Sequence, residues 1–171
     1  ILERLSIMAL LLKPLRKTWQ YDLASHGIDI LSTKEYQEAD VIHLHWINQG
    51  LLSLGQLKKI LLSGKRVVWT MHDEWPFRGI IHYTDEGTNH PLTNNPIAWL
   101  ERKLFKKKQE IYQRGNITFV GCSQWISNLA KQAMPQARVR HINSVITSFK
   151  IRNNNQCLTS SNISSIILTI N

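Results

Sequence analysis

The sequence predicts an α/β fold, a Rossmann-like parallel sheet with helices on both faces. Three observations carry that expectation. Apolar, strand-like runs alternate with segments of helical period between residues 40 and 143. The runs are rich in β-branched and aromatic residues with few polar interruptions, as strands covered on both sides are. Glycines and a hydroxyl side chain also stand where these segments should start or stop, which supports the strand–helix order.

Taken in order, Asp40-Val41-Ile42-His43-Leu44-His45-Trp46 reads as the first strand. Leu51, Leu54, Leu57 and Leu61 follow at helical spacing, and Gly64 occupies the position of a helix C-terminal glycine. Arg66 to Met71 forms the second strand. A loop holding Gly79, Gly87, Pro91 and Pro96 leads to a helix over 97–114, with Leu100, Leu104 and Ile111 on one side and Gly115 as its stop. Asn116 to Gly121 gives the third strand. Ser123 caps a helix over 124–134, since its hydroxyl can accept from an early backbone N–H. A fourth strand covers 137–142, and no internal repeat is evident.

The flanks differ in character. Residues 1–39 form a partial N-terminal helical region, basic and without a clear strand. Residues 152–165 are rich in Asn and Ser, as linkers are, and Ile166-Ile167-Leu168-Thr169-Ile170 then begins a strand. The division expected is therefore 1–39, a sheet domain over 40–150, and a linker with a new strand over 151–171, as if cut from a longer protein.

With 171 residues, 43% hydrophobic and 19% charged, the chain is sized for one globular domain and is neither disordered nor fibrous. The apolar run Ile7 to Leu12 is cut by Lys13 and Pro14, too short to span a bilayer. Acidic Glu3 before it and the lack of a small-residue cleavage site argue against a signal peptide. Cys122 and Cys157 give neither a disulfide framework nor metal spacing, so a reducing cytoplasm is expected. Two sequon matches, at Asn116 and Asn162, are then chance. The net charge of +9 favours polyanionic partners: nucleic acid, anionic lipid or phosphorylated substrates. The densest run, Arg102-Lys103 to Lys106-Lys107-Lys108, lies in the third helical segment and reads as a solvated face.

Ligands of open parallel sheets bind beyond the carboxyl ends of the strands. His45 ends the first strand, His72 and Asp73 the second, and Ser123 the third, so one edge collects all four. His43, deeper on the same face as His45, reads as a core histidine. Trp46, Trp75 and Phe77 suggest an apolar platform for a flat ligand such as a sugar ring, or plain packing beneath the loop. His43-Leu44-His45 also matches the His-x-His of metal-dependent hydrolases, which keeps a metal site at His72 and Asp73 open as an alternative. A basic α/β module gripping nucleic acid or anionic membrane through Arg102 to Lys108 is another.

Ala39-Asp40-Val41-Ile42-His43-Leu44-His45-Trp46-Ile47-Asn48, Leu52-Ser53-Leu54 and Val67 to Phe77, with its His-Asp-Glu-Trp-Pro-Phe, resemble the N-terminal domain of GT-B glycosyltransferases. In particular they resemble the bacterial family 4 group (glycosyl transferase group 1) that builds exopolysaccharide and surface polysaccharide. Asn116 to Val120 with Ser123-Gln124-Trp125 resembles the same family's strand and Ser-x-Trp helix start. The resemblance covers about residues 26 to 150.

It implies the N-terminal half of a GT-B fold, truncated at both ends, from a cytoplasmic enzyme working at or near the inner membrane face. Such an enzyme moves a sugar from a nucleotide-sugar to a saccharide or lipid-linked acceptor with retention of configuration. It needs no metal and no cofactor, and nucleic acid is not a partner. Carried over by position, His72 is the catalytic residue beside the transferred sugar, and His45, Asp73, Trp75 and Ser123 are substrate-binding. The donor domain, with its paired glutamates, is missing, and Ile166 to Ile170 resembles its first strand. The cysteines many relatives carry after Trp-Pro-Phe are absent here. The isolated chain is expected to be inactive.

Overall fold

A computed structural model describes residues 20–83, 98–142 and 165–168, with Leu5 and residues 7–9. The loop over 84–97, the linker and most of the N-terminal segment lie outside the described residues. The sheet is parallel throughout, with strands β1 (Val41–Leu44), β2 (Arg66–Met71), β3 (Ile117–Gly121), β4 (Val139–His141) and β5 (Ser165–Leu168) in the spatial order β4-β3-β2-β1-β5. Leu44 pairs with Trp69 and Met71 with Gly121, so the strands end close to level. β5 lies on the far side of β1, with Leu44 opposite Leu168.

From residue 20 onward the described helices are α1 (Lys34–Glu38), α2 (Leu54–Leu62), α3 (Ala98–Tyr112) and α4 (Gln124–Ala133). From β1 to β4 every crossover steps the same way across the sheet, and right-handed crossovers then place α2, α3 and α4 on one face. The burial pattern agrees. Ile42, Leu44, Val67, Trp69, Met71, Ile117 and Phe119 share one core with Leu57, Ile60, Leu61, Ile111, Tyr112, Ile126 and Ala130. The alternate residues Val41, His43, Val68, Thr70, Thr118 and Val120 face the other way and are half-buried.

Local chemistry sets the helix ends. Ser53 and Gln56 form a reciprocal capping box at α2, with Gln56 N–H to Ser53 Oγ at 3.2 Å and Ser53 N–H to Gln56 Oε1 at 2.9 Å. Gly64 follows that helix at φ +80°, the left-handed conformation its position predicted. Ser123 caps α4, its Oγ accepting from Ile126 N–H at 3.3 Å. Gly79 presses against the backbone of α3 at Glu101, where a β-carbon has no room.

Trp69 organises the centre, with ring centroids 6.1 Å from Trp75, 6.1 Å from Tyr112 and 5.9 Å from Phe119. The Trp75-Pro76-Phe77 segment forms a turn of 3-10 helix beneath this cluster, tied by Tyr112 O–H to Pro76 C=O at 2.8 Å. α3 corrects one expectation. Arg102, Lys103, Lys106 and Lys107 are exposed, but Lys108 is wholly buried. Among the described residues no helix is long and apolar enough to cross a membrane.

Candidate functional site at the carboxyl edge of the sheet

The residues just past β1, β2 and β3 are His45, His72 with Asp73, and Cys122 with Ser123, and the strand register brings them to one edge. Side chains two residues apart share a face, so His43 with His45, and Thr70 with His72, line the half-buried face as it reaches that edge. There they meet across the strands. His43 Nε2 lies 2.9 Å from Thr70 Oγ1, and His45 Nδ1 lies 3.0 Å from His72 Nε2. Ring centroids are 4.3 Å apart for His43 and His45 and 5.3 Å apart for His45 and His72. Trp69 Nε1–H donates to the His45 carbonyl at 2.9 Å, which pins the backbone at the rim.

The electrostatics favour neutral rings at His43 and His45. Burial, and then His72, hold the His43 imidazole below its ordinary range. Burial, then His43, then His72, do the same for His45. A second positive charge in so small a cluster is disfavoured by repulsion as well as by desolvation. His72 is exposed and His45 half-buried, so the pair is open to a ligand. In chemical terms it offers imidazole donors and acceptors to hydroxyl groups.

The other expected site residues sit differently. Asp73 is 4% exposed, and both its oxygens are engaged. Oδ1 accepts from Trp75 N–H at 3.0 Å, and Oδ2 meets His82 Nδ1 at 2.6 Å. Its carboxylate therefore builds the turn after β2 and does not face the rim. Trp75 has no exposed surface, so the platform expected of Trp75 and Phe77 is packing. The indole Nε1–H of Trp75 donates to Asp22 C=O at 2.9 Å, and Lys108 Nζ stands 3.1 Å from its ring centroid. Ser123 is half-buried, with its hydroxyl committed to the α4 cap and its carbonyl accepting from Ser127 Oγ at 2.9 Å. Trp46 is half-buried and stacks on His82, with centroids 4.9 Å apart and planes 5° from parallel.

Sequence reasoning passed over the layer beneath. His82 is buried between Trp46 and Trp75, bonded to Asp73, with its Nε2 unpartnered. Glu101 accepts from Gly79 N–H at 2.5 Å and Ile80 N–H at 2.6 Å. Lys108 Nζ donates to Trp75 C=O at 2.7 Å and Arg78 C=O at 2.8 Å. Burial holds the Lys108 ammonium far below its ordinary range, against the opposing pull of Glu101, Asp22 and Asp73. The available signal was the length of the loop, since a long buried turn must satisfy its backbone polar groups with side chains. Which side chains do so depends on non-local contacts.

Among the described residues no three His, Cys, Asp or Glu side chains are grouped to hold a metal ion, so the hydrolase alternative finds no ligand set there. A cavity of about 380 Å³, lined by Gln113, Met134, Pro135 and Arg138 among others, lies near the starts of β3 and β4, at the opposite edge from the histidines. No family model, curated protein or solved structure matches the chain.

Proposed function

We propose that the chain is the acceptor-side domain of a retaining glycosyltransferase, transferring a sugar from a nucleotide-sugar to a polysaccharide or lipid-linked acceptor in the cytoplasm. The observation that supports this reading best is the His45–His72 pair, solvent-accessible at the carboxyl edge of a parallel sheet, where such folds bind ligands. His72, the more exposed ring, takes the catalytic role beside the transferred sugar, and His45 contacts the acceptor. Asp73 and Trp75 act indirectly, by shaping the turn that presents His72. On this reading the nucleotide-sugar is held mainly by a separate donor domain, and the 171-residue chain alone is expected to turn over no donor.

The experiment is a titration of the ¹⁵N-labelled chain with oligosaccharides and a lipid-linked sugar, following the imidazole signals. Shifts confined to His45, His72 and their neighbours are expected. If no saccharide moves them, the reading is lost. In an enzyme that includes the donor domain, His72→Ala should lower kcat by about 100-fold, the usual scale for removing one group that stabilises developing charge.

An anionic membrane surface is the proposed site of action, and the exposed face of α3 favours it. Arg102, Lys103, Lys106 and Lys107 lie there beside Trp99, which is 52% exposed with Lys103 Nζ 5.7 Å from its ring centroid.

A further inference from the structure

His45 and His72 share one hydrogen bond, and a bond between two neutral imidazoles holds a single proton. That fixes what the pair shows to a ligand. If His72 Nε2–H donates to His45 Nδ1, the other two nitrogens are a bare His72 Nδ1 and a protonated His45 Nε2. If His45 Nδ1–H donates to His72 Nε2, the roles reverse. In either state the pair presents one donor and one acceptor, and the two exchange when the shared proton crosses the bond while His72 Nδ1 gains a proton and His45 Nε2 loses one, or the reverse.

We propose that His45 and His72 act as a two-imidazole proton relay, taking a proton from a substrate hydroxyl at one ring and releasing one to water at the other. In assigning that hydroxyl to a sugar acceptor the relay rests on the glycosyltransferase reading; its geometry does not. The step balances. The hydroxyl proton passes to His72 Nδ1, the proton on His72 Nε2 moves across the bond to His45 Nδ1, and His45 Nε2–H is lost to solvent. The acceptor oxygen keeps the O–H electron pair for its new bond to the sugar, as the sugar's bond to the donor's phosphate oxygen breaks and the nucleotide leaves with that pair. Exchange with water restores the starting tautomers.

The surroundings suit a neutral relay. His43 stands beside His45 on β1 and bonds Thr70 of β2. Asp73, the nearest carboxylate in sequence to His72, is engaged by His82 and Trp75 N–H. Tyr83 follows on the same loop, its phenol pushed up by burial first and then by Asp73, Cys122 and Glu74, so it stays protonated. Among the described residues no carboxylate bonds either ring, so no charged partner fixes one tautomer, and the shared bond can hold its proton on either side, as a relay requires.

The relay is tested by long-range ¹H–¹⁵N spectra of the labelled chain at neutral pH. His45 Nδ1 and His72 Nε2 should both resonate between the protonated and unprotonated limits, because the proton visits both. In His72→Gln, His45 should settle to a single tautomer, and its titration midpoint should rise as one cause of its depression is removed. Both nitrogens at single-tautomer limits in the unaltered chain would overturn the relay, as would a His45 midpoint indifferent to His72→Gln. Should the variant fail to fold, the spectrum of the unaltered chain decides alone. The two proposals fail separately: loss of saccharide binding ends the transferase reading, whereas static tautomers end the relay whether or not a saccharide binds.

Discussion

At the scale of single residues, a buried lysine and two half-buried histidines link stability to pH. Lys108 has both its carbonyl partners inside the turn after β2, and burial lowers its affinity for a proton. The unfolded chain then binds more protons than the folded one between that lowered value and the ordinary lysine value of about 10.5. Stability should therefore rise with pH through the alkaline range as far as this group decides it, up to the point where the phenol of Tyr112 opposes it. Burial pushes that phenol far up, so the unfolded chain loses the proton first and stability falls above about pH 10. Replacing Lys108 with Met should remove the rise. It should also cost about 1–3 kcal/mol at neutral pH by stranding Trp75 C=O and Arg78 C=O, as urea titrations at pH 7 and pH 9 would show. His43 and His45 work at the acid end. Their folded affinities are lowered, so their neutral forms support the fold above about pH 6.5 and that support is lost as pH falls below it. His43→Gln should flatten the acid limb of a plot of stability against pH, and an unchanged slope would count against that assignment.

At the scale of elements, the parts fixed by short-range chemistry were legible in the sequence. Gly64 sits in the left-handed conformation and Ser123 caps its helix, because both are decided within about one turn of chain. The parallel order of β1 to β4 was legible too, since alternating strands and helices leave few other arrangements. The capping box at Ser53 makes a direct test. Ser53→Ala should destabilise the chain by about 1 kcal/mol, measured by urea unfolding, because both bonds of the Ser53 hydroxyl to Gln56 are lost while the backbone bond from Ser53 N–H stays available. What could not be read was the set of buried charges behind the turn. Glu101 and Lys108 sit in a helix whose other charges are solvated, and a charge run looks the same whether one member points in or all point out. Trp75 and Asp73 were misplaced for the same reason: a strand-end position gives the edge, and the direction of the side chain depends on Asp22, His82 and Lys108, distant in sequence.

At the scale of the whole molecule, a net charge of +9 has to be located before it says anything about partners. Of the basic run in α3, Lys108 is removed from the account by burial, leaving Arg102, Lys103, Lys106 and Lys107 on an exposed face with Trp99. A half-exposed indole among lysines is the composition of an interfacial anchor, with the ring at headgroup depth and the cations among lipid phosphates. Each such cation contributes about 1 kcal/mol near an anionic surface, so Lys106→Gln with Lys107→Gln should weaken binding to vesicles containing phosphatidylglycerol by about 30-fold. Trp99→Ala should weaken it further at high salt, where the electrostatic part is screened and the indole is not. Cosedimentation with such vesicles against vesicles of neutral lipid measures both effects. If single-stranded DNA binds as tightly as the anionic vesicles, and Trp99→Ala changes neither, then the face is a general polyanion surface. The membrane would then lose its claim as the place where this protein works.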